Sequence, residues 1–168
     1  MAELNPYSPP SSVVTNEEGE TVLATRGERF GGVLVDGIVL ALVNLPIMYV
    51  TGYFEKAMQG TTSIGDTIIY SVMSIIIYLL LNGYLLANYG QTIGKRVVGT
   101  KIVSYQDENL LPLWKLMVYR FLPIQVVSLI PIVGGFFSLA DALFIFRGDK
   151  RCIHDHIAGT KVIQVASS

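Results

Sequence analysis

Residues 67–94 read TIIYSVMSIIIYLLLNGYLLANYGQTIG, a run without a single Asp, Glu, Lys or Arg. Its inner part, residues 68–88, supplies the roughly 20 apolar residues that cross a bilayer core of about 30 Å. A second run, residues 30–54, is interrupted only by Asp36, Asn44 and Pro46. A proline is tolerated inside a span because neighbouring helices or polar side chains satisfy the carbonyl it frees. A third region, residues 113–146, contains Lys115, Arg120 and Asp141, and a helix-breaking stretch IPIVGG at 130–135. As one helix, residues 121–146 would run about 39 Å, beyond the hydrocarbon core. The region therefore splits into segments 113–130 and 132–147, the second a short span or the returning arm of a re-entrant hairpin.

The composition agrees. Of 168 residues, 51% are hydrophobic and only 15% charged, against about 25% charged in ordinary globular domains. Mean hydropathy is +0.51. These values exclude a disordered chain, a nucleic-acid-binding module and a disulfide-stapled secreted domain. A single cysteine, Cys152, allows no intrachain disulfide. The net charge of −1 hides an asymmetry. With four segments and a cytoplasmic N-terminus, eleven of the twelve Lys and Arg residues fall on the cytoplasmic side and Lys56 alone falls opposite. Three spans would move Arg147, Lys150, Arg151 and Lys161 outside, which the positive-inside rule disfavours. The expected fold is an all-α membrane protein: a bundle of four transmembrane or re-entrant helices near 30–52, 67–89, 113–130 and 132–147. Both termini are expected in the cytoplasm of a bacterial cell, the bundle in its cytoplasmic membrane.

Residues 1–27 carry Pro6, Pro9, Pro10 and the acidic Glu17, Glu18 and Glu20, and read as a disordered cytoplasmic arm. No basic stretch precedes an apolar one there, so the arm is not a cleavable signal peptide and the first span inserts as its own signal. Residues 28–165 form the membrane domain and 166–168 its end. Two segments inside that domain echo each other: VVGTKIV at 97–103 and IAGTKVI at 157–163. Each is β-branched and too short for a helix, which suits a turn leading into a strand. Following the second and fourth segments, both lie on one face and are expected to pair as a small sheet, because short strands are seldom stable alone.

Arg29 opening the first span, Asp36 within it, TIGKRVVG at 92–99 and HDHIAGT at 154–160 together resemble the RDD family of small membrane proteins, named for one arginine and two aspartates. The resemblance covers residues 26–165. It implies that Arg29, Asp36 and Asp155 are the named positions and that Gly94, Lys95, Gly99, His154, Gly159 and Thr160 belong to the motif. A transport role is the one usually suggested for such proteins.

An aspartate within a span marks function by default, because the charge must be paired, hydrated or protonated. Asp36 lies seven residues after Arg29, on the same helical face. Asp141 precedes Arg147 by six residues on a segment returning to that side, and Arg120 enters the third segment from it. Four spans thus place Asp36, Asp141 and Arg120 at similar depth, with Arg29 above them. As a working site, two carboxylates and a guanidinium handle a cation or proton, since paired carboxylates push one pKa upward. As a structural site, the same cluster only holds helices together. Tyr78, Asn82, Tyr84 and Asn88 of the second span offer uncharged ligands, or ordinary interhelical hydrogen bonds.

Two further patterns carry less. CIHDH at 152–156 packs four potential ligands into five residues, but matches no structural zinc spacing. It reads as a solvated basic loop in which Asp155 answers Arg29 or Arg151. GQTIGKR at 90–96 resembles a phosphate loop, yet only three residues separate its glycines and Arg96 stands where Ser or Thr would hold magnesium. Lys95 and Arg96 are expected at the lipid headgroups instead. No cofactor, metal or nucleic acid is implied, and no nucleophile–base pair points to an enzyme. The expected partners are membrane lipids and a second copy or another membrane protein. The function expected is transport of a small cation or proton through intramembrane carboxylates; the alternative is a non-transporting scaffold or assembly subunit.

Overall fold

The computed structural model describes residues 13–16, 20–128, 136, 140, 144 and 151–165. The 132–147 segment, with Asp141, falls almost wholly outside them.

Helix α1, Arg26–Val50, starts at a reciprocal cap: Glu28 N donates to Thr25 Oγ1 at 3.2 Å and Thr25 N to Glu28 Oε2 at 2.8 Å. It ends at Thr51 and the left-handed Gly52, where the short α2, Tyr53–Met58, reverses the chain. Ser63 and Asp66 repeat the capping device at the start of α3, Ile64–Tyr89. At 25 and 26 residues, α1 and α3 are about 38 Å long, with mean hydropathy 2.1 and 2.0 in their most apolar windows. Both begin three or four residues earlier than hydropathy indicates, because their caps precede the apolar run.

These helices are inside out relative to a water-soluble domain. Phe30, Leu42 and Tyr49 on α1 and Ile69, Ile76 and Leu80 on α3 are exposed, and little of either apolar stretch is buried. Apolar helices with such surfaces suit a hydrocarbon solvent.

Gly90, at φ +65°, stops α3. A Cβ there would lie 2.5 Å from the Ile102 carbonyl, and Ile102 N donates to Gly90 O at 2.8 Å. The short α4, Ile93–Val97, leads into β1, Thr100–Ser104, which pairs antiparallel with β2, Thr160–Gln164. Thr100 lies opposite Gln164 and Ser104 opposite Thr160, so the two GTK repeats do form one sheet.

The reading of residues 1–27 as a disordered arm is corrected for its described part. Ala24 N donates to Val162 O at 3.0 Å, Gln164 N donates to Val22 O at 2.9 Å, and Val13 bridges Val165. Ala24 is fully buried. An open edge of β2 offers unpaired backbone groups, and this segment takes them.

The third apolar region is helical from Leu113 to Ser128 as α5 (Leu113–Lys115), a π turn (Leu116–Phe121) and α6 (Leu122–Ser128). The wide turn falls just before Pro123, which lacks the N–H for an ordinary i−4 bond. Ala24, Leu86, Ile102, Leu116 and Val162 make the buried core, with Tyr78 and Phe121 packed against it. It lies where the sheet, the end of α3 and the π turn meet.

Helices α1 and α4 approach closely. A Cβ on Gly94 would stand 2.0 Å from Gly32 O and 2.9 Å from Asp36 Cγ. Gly94→Ala is therefore expected to cost about 3 kcal/mol or prevent folding, whereas Gly37→Ala, with open space around it, leaves stability unchanged. Thermal unfolding of the two variants in detergent checks this.

Candidate functional site

Asp155 sits in α7, Ile153–Ala158, and is completely buried. Arg29, in the first turn of α1, donates from Nη1 to Asp155 Oδ2 at 2.8 Å. Arg120, carried inward by the π turn, donates from Nη1 to Asp155 Oδ1 and to Thr160 Oγ1 at 2.6 Å. Thr160 Oγ1 donates in turn to Asp155 Oδ1 at 3.0 Å, and Cys152 N to Oδ2 at 3.2 Å. Both guanidinium side chains are also buried. Residues 29, 120 and 155, far apart in the chain, thus meet at one carboxylate.

Burial alone would raise the Asp155 carboxyl, but the charges of Arg120, His154 and Arg29 outweigh it and hold the group well below the usual carboxylate range. Arg151 reinforces α7 from the other side. Its Nε donates to Thr160 O at 3.0 Å and Nη2 to Asp155 O at 3.1 Å, with the guanidinium 4.2 Å from the centre of the Tyr105 ring. The expected solvated loop at 152–156 is corrected: it is the start of a short helix whose Asp155 alone is buried, His156 and Ile157 being exposed. Asp155 answers Arg29 and Arg120 by its side chain, not Arg151.

Asp36 is engaged separately. It is half-buried, and its carboxylate accepts from Thr92 Oγ1 at 2.5 Å and Gly94 N at 2.7 Å. Asn82 Oδ1 takes Ile93 N at 2.9 Å, and Thr92 Oγ1 takes Lys95 N at 3.2 Å. Side chains from α1, α3 and the N-cap therefore satisfy the first three amides of α4, which no earlier turn could do.

The grouping of Asp36 with Arg120 is corrected accordingly. Arg120 and Arg29 converge on Asp155, while Asp36 caps α4; Asp141 lies outside the described residues. Equal depth along two helices fixes height, but not the direction in which a side chain points. Lys95 also departs from expectation. It is buried rather than spread at the headgroups, and burial, followed by the charge of Arg120, lowers its pKa to about 8. Arg96 takes the outward position, 5.3 Å from the centre of the Tyr89 ring.

The remaining motif residues have local roles. Gly99 and Gly159 adopt φ +66° and +62°, turning the chain into β1 and β2. The Cys152, His154 and Asp155 ligand atoms lie within 4.8 Å of one another. They do not fit a metal, because both Asp155 oxygens already accept from guanidinium groups. The cap made by Thr92 was missed, although a Thr three residues before Lys95 was an available signal, and Arg151 was named only as a candidate partner of Asp155.

At the other end, α1 and α3 leave an open cleft of about 370 Å³, lined by Asn44, Thr67, Tyr70, Ser71 and Ser74 among others and by no ionisable carboxylate or cation.

Comparison with known proteins places this arrangement. The model of the RDD family matches residues 23–159. The "Uncharacterized membrane protein YteJ" of Bacillus subtilis (strain 168) is 32% identical over 97 residues, covering 56% of this chain and 52% of that protein. The chain thus spans about half the length of the curated relative it matches. No solved structure matches it. The chain belongs to the RDD family and is a membrane protein.

Removing the carboxylate charge would leave two buried guanidiniums uncompensated. Asp155→Asn is expected to cost about 3–5 kcal/mol, more than Asp36→Asn, which keeps an acceptor for Gly94 N. Because the folded pKa of Asp155 is depressed, its contribution is full above the ordinary value of 3.8 and is lost as pH falls through that value toward the folded pKa. Unfolding followed from pH 6 to pH 3 in wild type and Asp155→Asn checks the sign: the wild type loses stability and the variant loses less.

Proposed function

We propose that this RDD-family protein is a non-transporting membrane module, an assembly or partner subunit, and neither an ion carrier working through its own carboxylates nor an enzyme. One observation carries the reading: both motif carboxylates are committed to structure. Asp155 has its oxygens occupied by Arg29, Arg120, Thr160 and Cys152, and Asp36 has its oxygens occupied by Thr92 and Gly94. A carboxylate that exchanges a cation or proton has to release its partners each cycle, and releasing Asp155 would strand buried charges. The cleft between α1 and α3 offers hydroxyl and amide groups and, among the described residues, no carboxylate or cation.

The exposed apolar faces of α1 and α3 supply the surface for lipids and for a second copy or another membrane protein. Four membrane segments with both termini cytoplasmic, in a bacterial cytoplasmic membrane, complete the proposal. The charge asymmetry supports it, since Lys56 alone would lie outside.

Two measurements test it. Purified protein in liposomes is expected to pass no Na⁺ or H⁺ above protein-free liposomes; flux that disappears in a folded Asp36→Asn variant overturns the reading in favour of transport. In a Cys152→Ser background, cysteines placed at Gly60 and Ser167 are expected to react with an impermeant reagent from opposite sides. Reaction of both from one side overturns the topology.

A further inference from the structure

Around the Asp155 cluster three cations are at least nine-tenths buried: Arg29, Lys95 and Arg120. Against them the described residues set Asp155, fully buried, and Asp36, half-buried. Both carboxylates are already engaged, so neither can turn to another cation.

The hydrogen-bond inventory shows the same shortage of acceptors. Among the described residues the buried side-chain polar atoms without a partner are Arg29 Nε, Arg29 Nη2 and Tyr78 Oη. Two are N–H donors and the third carries a hydroxyl able to donate. Arg29 spends Nη1 on Asp155 and keeps its Nε–Nη2 edge unused, the edge that grips an oxyanion with two parallel bonds. Asp155 lies in salt-bridge contact with Arg29 and Arg120, and no such contact reaches Lys95 Nζ among the described residues. Guanidinium cannot relieve the imbalance by losing its proton.

The groups are neighbours. Lys95 adjoins Gly94, which touches Gly32, one turn along α1 from Arg29. Arg120, Asp155, Arg29 and Asp36 all act electrostatically on Lys95, and Asp36 and Arg120 on Tyr78. Lys95 does not stand at the end of α3. Its neighbour Gly94 is hydrogen-bonded to Asp36, ten residues into α1, and Ile93 to Asn82, seven residues before the end of α3. Helix α4 thus folds back between the two long helices toward Tyr78.

We infer that Arg29, Lys95 and Tyr78 form a binding site for a phosphate group, with the Nε–Nη2 edge of Arg29 as the fork, Lys95 as the second cation and the Tyr78 hydroxyl as a further donor. A tetrahedral oxyanion accepts from several directions at once, which suits a fork, an ammonium and a phenol on three different elements. The phosphate comes from the headgroup of an acidic phospholipid or from a free phosphate. Basic pockets between membrane helices can take lipid headgroups. The inference goes beyond the assembly reading and does not depend on it.

The test uses full-length protein, wild type and Lys95→Gln, with Tyr78→Phe as a second variant that removes one hydroxyl and keeps the ring. Thermal unfolding is followed in detergent on titration with sodium phosphate, with sodium chloride at equal ionic strength as the control. It is followed again in nanodiscs of phosphatidylcholine with and without phosphatidylglycerol. Wild type is expected to be stabilised by phosphatidylglycerol, by phosphate, or by both, with apparent affinity about tenfold weaker in Lys95→Gln, the loss of one charge-assisted contact. A response to phosphatidylglycerol alone assigns the lipid headgroup; a response to sodium phosphate in detergent assigns the free ion. Lys56→Gln, at the other end of the helices, is expected to respond as wild type. The inference is overturned if neither phosphate source stabilises the wild type, or if Lys95→Gln and Tyr78→Phe both respond as wild type does. Should Lys95→Gln fail to fold, Tyr78→Phe decides alone by the same comparison.

Discussion

The Asp155 carboxylate, fully buried between Arg29 and Arg120, is the constraint on which the arrangement depends. Taking a carboxylate out of water costs several kcal/mol, and partners recover this only when good geometry and further hydrogen bonds satisfy the remaining lone pairs. Here two guanidiniums, a hydroxyl and a backbone amide do so. Those groups come from the first turn of α1, the π turn, and the α7–β2 corner. The ion pairs therefore set where the first helix enters, where the third apolar region bends inward, and where β2 begins. Once β2 is placed, β1 pairs along one edge and residues 22–24 along the other, which returns the chain to Thr25 and the start of α1.

A second device works beside the first. Gly32 and Gly94 let α1 and α4 approach so closely that any side chain on Gly94 would collide with backbone. That approach carries the Asp36 carboxylate to Gly94 N and Thr92 Oγ1. Glycine and aspartate thus act together: without the close approach Asp36 would be an unpaired charge beside hydrocarbon, and without Asp36 an amide of α4 would lack its acceptor. An aspartate inside an apolar run is usually read as chemistry. Here its hydrogen bonds make it a helix cap supplied from another helix.

Much of this was legible in the sequence, for identifiable reasons. The two long helices follow from uncharged runs, and the sheet from the repeated Gly-Thr-Lys, because a positive-φ glycine before β-branched residues is a local signal. Arg29 and Asp36 stood out as charges flanking or interrupting apolar sequence, whereas Asp155 entered through the resemblance to the RDD family. The pairing among them was not legible. Depth along a span can be counted from residue number, whereas direction depends on how α4 and α7 fold back, and helices of five or six residues are too short to show a hydrophobic period. The same brevity made residues 152–156 look solvated. The segment at 20–24, ETVLA, looked disordered because it closes a tail that carries three prolines and Glu17, Glu18 and Glu20; its order comes from the open edge of β2, a tertiary cause that composition does not carry.

The resemblance of GQTIGKR to a phosphate loop can now be given a physical reading. In such a loop the backbone amides and a hydroxyl face an anion. Here Thr92 Oγ1 and Gly94 N do face an anion, but it is the chain's own Asp36. The amide part of the motif is therefore closed to a ligand, consistent with rejecting nucleotide binding on spacing alone. The lysine of the motif is in a different position. Lys95 turns into the protein beside Arg29 and Arg120, where it meets like charge, and burial with the repulsion of Arg120 brings its pKa down to about 8. Asp155 and Asp36 offset part of that repulsion from a distance, but neither makes a salt-bridge contact with the ammonium. The internal carboxylate thus occupies one half of an anion-binding motif, and among the described residues the lysine of the other half has no salt-bridge contact.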